Sequence, residues 1–148
     1  MAETAGRRLL VRSATRYLGA LHRLLYRASG GRLGGRLWGQ PVVLLTTIGR
    51  RTGKRRTVPL CSFRDGDDVI VIASYGGLDR PPAWWLNLEA SPRAELLTGR
   101  RRRPVTARNA APEERARLWA EVTALAPGYL EYERRTTREI PVVILQPR

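Results

Sequence analysis

Five cations crowd one short stretch of the chain. Arg50, Arg51, Lys54, Arg55 and Arg56 lie between two apolar runs in "VLLTTIGRRTGKRRTVPL", Val43 to Leu60, with Gly49 and Gly53 among them. Residues of those types at that spacing suit an anion. Glycine lets a turn adopt positive φ, so that successive N–H groups can point into one concavity. Arginine adds forked donors that match phosphate and carboxylate. The competing reading is a solvated hairpin tip whose charge only guards against aggregation. A second constellation, "ASYGGLDRPPAWWLNLEASP", sets Ser74 at a strand end, then Gly76 and Gly77, then Trp84 and Asn87. A serine and a double glycine there would let a planar ring approach the backbone closely. Trp84 would supply an apolar wall and Asn87 an amide. The plain alternative for Trp84 and Trp85 is core or lid.

These residues need a scaffold, and the composition bounds it. At 148 residues, with 43% hydrophobic residues, the chain is expected to form one core without disulfides or metal. Cys61 is the single cysteine and His22 the single histidine, so neither an internal disulfide nor a zinc site of the usual kind is expected. A reducing compartment fits, and no apolar stretch approaches the roughly 18 residues of a membrane span. Arginines recur through the N-terminus where a signal peptide would be apolar, so a cytoplasmic location is expected. The net charge of +14 calls for an acidic partner. Nearly all of it is arginine, a bias that a GC-rich genome also produces.

Along the chain, residues 7–28 read as an amphipathic helix, with Leu10, Ala14, Tyr17, Leu21, Leu24 and Ala28 at spacings of three and four. Its arginine-rich face makes an anionic membrane surface a candidate partner. The glycine-rich run from Ser29 to Gln40 reads as a mobile connector. Residues 1–33 are therefore set apart from a barrel domain at 34–148. Within the latter, strands are expected at 42–47, 56–64 and 69–74, with a hairpin turn at "RDGDD", and at 94–97, 105–109 and 142–145. Helices are expected after Pro82, from Pro112 to about Ala126, and through Tyr129 and Tyr132. Helices do not alternate with strands, so the fold class is mainly antiparallel β with helices, an α+β barrel rather than a doubly wound sheet.

In their order and spacing the basic turn, the Ser74–Asn87 segment and "PGYLEYERRTTREIPVVIL" resemble the deazaflavin-dependent nitroreductase family, from about Gly34 to the C-terminus. The resemblance implies a split β-barrel, like that of FMN-binding and pyridoxamine-phosphate-oxidase-like proteins, and reduced coenzyme F420 as hydride donor. It implies that Arg50, Arg51, Arg55, Arg56 and Thr57 hold the phosphodiester and oligoglutamate tail. Pro59 and Leu60 would lie against the cofactor. Ser74, Gly76 and Gly77 would flank its ring, with Trp84 and Asn87 on the helix that closes over it. Tyr129 and Tyr132 match substrate-pocket tyrosines. Typical nitroreductase members carry tyrosine where this chain has Cys61 and Ala126, which implies a wider or differently polar pocket.

The expected chemistry is hydride transfer to an electron-poor small molecule: a quinone, an activated alkene or a nitro compound. Ser74, Tyr129 and Tyr132 are the candidate catalytic side chains, fixing the ring or the acceptor or donating a proton. Cys61 is expected to be a buried strand residue with no catalytic role. Two rivals stand beside this reading. One is an FMN- or FAD-binding barrel reductase. The other is a basic nucleic-acid-binding module using Arg100–Arg103 and the helix arginines. The second lacks interleaved aromatics and any recognition motif, so no nucleic acid is expected and Arg100–Arg103 is read as a solvated hairpin.

Overall fold

The structure is a computed structural model that describes residues 19–37 and 39–148. Helix α1 covers residues 19–29; residues 7–18 of the expected N-terminal helix lie outside the described residues. Strands follow at Arg36–Leu37 (β1), Gln40–Ile48 (β2), Arg55–Cys61 (β3), Phe63–Asp65 (β4) and Asp68–Ile72 (β5). A 3-10 turn at Tyr75–Gly77 leads to α2, Ala83–Ala90. The chain continues through β6 (Arg93–Thr98), β7 (Arg101–Asn109), α3 (Pro112–Leu125), α4 (Gly128–Arg134) and β8 (Val142–Pro147).

All strand pairs are antiparallel. The sheet runs β1-β2-β6-β7-β8-β5-β4, with β3 added on β2. Period-two alternation divides the apolar residues between two faces. Val43, Leu45, Val69, Val71, Leu96, Val105, Val143 and Leu145 turn into one core that Trp84, Trp85 and Leu88 of α2 close. Their strand neighbours Ile70, Ile72, Val142 and Ile144 turn the other way, under Leu118 and Val122 of α3 and Tyr129 of α4. The sheet is thus curled into a barrel and covered outside by helices, as the patterning predicts.

The barrel is split between β3 and β5. Strand β3 pairs with β2 and with no other strand among the described residues, so alternate N–H and C=O groups along its far edge are left unpaired by the sheet. Proline is tolerated on such an edge, and Pro59 sits there. The expected strand 56–64 is broken at Ser62, whose N–H and Oγ both donate to the carbonyl of Pro41, at 2.8 and 3.1 Å. That kink swings β4 away from β2 and onto β5. The arginine run spans the hairpin turn and the strand that follows: Gly99 and Arg100 turn the hairpin, and Arg101–Arg103 pair with Thr98, Leu97 and Leu96.

The segment expected to be a mobile connector is tied down. Tyr26 of α1 is 1% exposed, packed with Val42, Leu44 and Leu97. Its Oη accepts the N–H of Gly99 at 2.7 Å. The Gly31 N–H donates to the Tyr26 carbonyl, and the Ser29 hydroxyl accepts the Leu33 N–H at 2.8 Å. Arg36 and Leu37 then pair with β2. Glycines that suggest flexibility in sequence here allow backbone to pack on backbone. Tyr26→Phe should leave the Gly99 N–H unpaired and lower stability by about 1–3 kcal/mol, read from a denaturant melt; an unchanged midpoint would mean that Tyr26 acts through its ring alone.

Candidate cofactor and acceptor site

A cavity of about 570 Å³ opens in the split of the barrel. Its walls are Val58, Pro59, Leu60 and Cys61 from the β3 edge, and Ile72, Ser74 and Gly76 from β5 and the turn after it. Trp84 of α2 bounds it, together with Tyr129 and Tyr132 of α4 and Gly19 and Arg23 of α1. Residues far apart in sequence thus meet where β3 and β5 fail to pair. Of the expected site residues, Pro59, Leu60, Ser74, Gly76, Trp84, Tyr129 and Tyr132 come together here. The basic turn, Asn87 and Gly77 do not line the cavity.

The Ser74 segment is shaped by two contacts that the sequence does not advertise. Arg138, in the loop before β8, reaches back across it: its guanidinium donates to the carbonyls of Ser74 at 2.8 Å, Ala73 at 3.3 Å and Leu78 at 2.8 Å. Burial depresses its pKa, but a guanidinium keeps its proton in a protein, so these bonds are charge-assisted. Gly77 has φ +80°, and a Cβ on it would stand 2.6 Å from the Tyr132 carbonyl oxygen. Its role is to let α4 lie against this turn, which sets where Tyr132 stands.

At the other end of the site the turn is built differently from its sequence reading. Gly53 has φ +69°, as a tight turn requires, whereas Gly49 is needed because a Cβ there would meet Thr52 Oγ1 at 2.8 Å. The backbone does not form an open nest for an anion. The N–H groups of Gly49 and Gly53 close the turn on the Lys54 and Gly49 carbonyls, and that of Lys54 donates to Thr52 Oγ1. The Arg50 N–H donates to Asn87 Oδ1 at 3.1 Å. Buried Asn87 also donates Nδ2 to Thr47 Oγ1 at 3.1 Å, so its amide pins the turn to α2. The side chains remain as donors. Arg50, Arg51, Lys54 and Arg56 are exposed and make no ion pair among the described residues, while Arg55 and Arg102 share Glu95 Oε1 at 3.1 and 3.0 Å. Register separates neighbours: Arg56 pairs with Thr47, on the face that meets Asn87, and Arg55 pairs with Ile48 on the opposite face. The Thr57 hydroxyl is engaged with that of Thr46 at 2.8 Å.

Tyr129 packs edge-on to Phe63 and Tyr132, with ring centroids 6.1 and 5.9 Å away. Burial, reinforced by Cys61 and Tyr132, pushes its hydroxyl pKa far up, so it is suited to orienting an acceptor and poorly suited to giving up a proton. Burial raises the Cys61 thiol as well, which keeps it neutral; it is half-buried at the cavity wall rather than in the core.

The arrangement suits a flat, apolar ring with a charged extension. The cleft is walled by proline, leucine and tryptophan and carries a strand edge with free hydrogen-bonding groups, and arginines stand at the hairpin end of that same strand. The chain belongs to the F420H(2)-dependent quinone reductase family, whose model matches residues 20–147. It is 43% identical over 132 residues to the F420H(2)-dependent quinone reductase Rv1261c of Mycobacterium tuberculosis, covering 86% of this chain and 89% of that protein. A solved F420-H2 dependent reductase, FDR-A, is 37% identical with a TM-score of 0.66, covering 72% of this chain and 94% of its own. A second solved structure, described only as a domain-swapped dimer, is 33% identical with a TM-score of 0.68, covering 93% of this chain and 97% of its own. This protein is accordingly an oxidoreductase that uses reduced coenzyme F420 as hydride donor to an electron-poor acceptor. The flavin-barrel and nucleic-acid readings are not favoured. No described helix is long and apolar enough to cross a membrane.

Proposed function

We propose that the acceptor is a quinone, reduced at the end of the cleft where Cys61, Ile72, Tyr129 and Tyr132 meet. What supports this most directly is the apolar, aromatic wall at that end, with no acidic side chain among its described lining residues. When bound, the reduced coenzyme supplies a hydride from C5 of its deazaflavin ring. The ring would lie along the β3 edge at Pro59 and Leu60, between Trp84 and the Ser74–Gly76 turn. Arg50, Arg51 and Arg56 would grip the phosphodiester and the carboxylates of the tail, with Arg55 and Thr57 reinforcing the hairpin beside them. The Ser74 hydroxyl would fix the ring, Tyr132 the acceptor carbonyl, and Tyr129 would hold Tyr132 in place. The test is oxidation of reduced F420, followed by absorbance, against a panel of quinones, enones and nitroaromatics. Quinones should turn over fastest; a preference for nitro compounds would overturn the reading. Ser74→Ala and Tyr132→Phe should each lower turnover about tenfold or more with the fold intact by circular dichroism. Full turnover in both would move the acceptor elsewhere.

The same reading places the protein in the cytoplasm, at an anionic membrane surface where lipophilic quinones are held. Leu21, Leu24, Leu25, Leu33 and Leu37 are exposed on and beside α1, with Arg27, Arg32 and Arg36 interleaved. Apolar side chains entering the interface beside arginines that meet lipid phosphates would attach the helix. Replacing Leu21, Leu24 and Leu25 with glutamate leaves the Tyr26 anchor in place. That variant should no longer co-sediment with anionic vesicles, while the unaltered protein should. Equal behaviour would favour a water-soluble acceptor.

A further inference from the structure

We infer that Arg23 of α1 is a catalytic residue of the acceptor end, stabilising the negative charge that an acceptor carbonyl oxygen gains as hydride arrives. The inference rests on the proposed reduction of quinones in this cavity.

Among the described residues that line the cavity, Arg23 is the only one with a charged side chain. The others are apolar, or carry hydroxyl or thiol groups, or are glycine. Among the described residues no carboxylate pairs with it, whereas eight ion pairs occupy arginines elsewhere. Its placement is fixed by the fold. It lies three residues before Tyr26, whose buried ring and bond from Gly99 lock that part of α1 to the sheet. One residue earlier, His22 Nε2 is 2.7 Å from the Gly34 carbonyl oxygen, a second tie on the same turn of helix. One helical turn before Arg23, Gly19 also lines the cavity, and a Cβ there would be 3.4 Å from Arg23 Nη1. The guanidinium therefore folds back along the helix over the space that Gly19 leaves.

The chemistry needs a cation there. A quinone that receives hydride becomes a hydroquinone monoanion, its former carbonyl oxygen bearing the charge. The donor loses two electrons and, in all, a hydride and a proton, and the proton completes the hydroquinone. Until then the oxyanion sits in an apolar cleft of low effective dielectric, where a fixed donor is worth more than in water. Tyr129 cannot neutralise it readily, because burial raises its pKa, and the Cys61 thiol is raised for the same reason. Arg23 can donate two hydrogen bonds to it without giving up a proton.

Ligands of matched shape and different charge test this. The probes are a 2-hydroxy-1,4-naphthoquinone, ionised at neutral pH and so a stand-in for the product anion, and neutral 1,4-naphthoquinone. Each is titrated calorimetrically into the protein carrying oxidised F420, so that no turnover occurs. Arg23→Met should weaken the anion at least tenfold and the neutral quinone less than twofold, and Arg23→Lys should restore most of the loss. In steady state with the neutral quinone, Arg23→Met should lower kcat about a hundredfold and change KM little. Equal effects on the two ligands, or none on the anion, would overturn the role. The F420 dissociation constant of the variant should match that of the unaltered protein. If the unaltered protein bound F420 but not quinones, the quinone reading would fail; if it bound both and Arg23→Met made no distinction, only the Arg23 inference would fail.

Discussion

Replacing Arg55 and Arg56 together with alanine should raise the dissociation constant for coenzyme F420 at least tenfold. A charge-assisted hydrogen bond contributes about 1.5–3 kcal/mol, and a tenfold loss corresponds to only about 1.4 kcal/mol, so one lost contact suffices. The two arginines should not contribute equally. Arg56 lies on the face of β3 that meets Thr47 and Asn87 and has no described carboxylate partner. Arg55 lies on the opposite face, already sharing Glu95 with Arg102. Arg56→Ala alone should therefore account for most of the loss. Raising the salt should weaken the unaltered protein more than the double variant, because the contacts removed are ionic. Fluorescence titration with F420 at two salt concentrations reads both effects. An unchanged constant would reduce the basic turn to a solvated tip.

The residues of the basic turn are legible in the sequence because their chemistry is local. Five cations and two glycines in eight residues mark a candidate anion site whatever the surrounding fold. How the turn is held is not local. The Asn87 amide, suggested by sequence as a group facing a ring, is spent on Arg50 and Thr47, and only the crossing of α2 over β2 reveals that. The same holds for Arg138. Nothing around "TTREIP" distinguishes it from other arginines of this arginine-rich chain, yet it gathers three carbonyls of the Ser74 turn from 60 or more residues away. Strands and helices follow the periodicity of the apolar residues closely. The main departures, the break at Ser62 and the ordered segment from Ser29 to Leu37, arise where hydrogen bonds from distant strands override local propensity.

Gly77→Ala should be the most destabilising single substitution in the site, and Gly76→Ala is its natural comparison. Both glycines have positive φ, +62° at Gly76 and +80° at Gly77, so alanine is strained at either, by about 1–2 kcal/mol. They differ in surroundings. A Cβ on Gly76 would meet nothing within 4 Å. On Gly77 it would come to 2.6 Å from the Tyr132 carbonyl oxygen and 3.0 Å from Arg135 Cβ, and the first of these is backbone that cannot turn aside. Overpacking of that kind adds about 1–3 kcal/mol, for a total near 2–5 kcal/mol. The structure can relieve it only by moving α4 outward, and α4 carries Tyr129 and Tyr132. Gly77→Ala should therefore lower the denaturation midpoint well below that of Gly76→Ala. It should also reduce turnover with the best quinone more than tenfold, because misplaced positioning groups cost rate steeply. The two readings separate a site effect from simple unfolding, since turnover is measured where the variant remains folded. Basic-turn contacts lie on β2 and β3, so F420 affinity should fall less than turnover. If the two alanine variants proved equal in stability and rate, the close approach of α4 to the Ser74 turn would not be what sets the acceptor end.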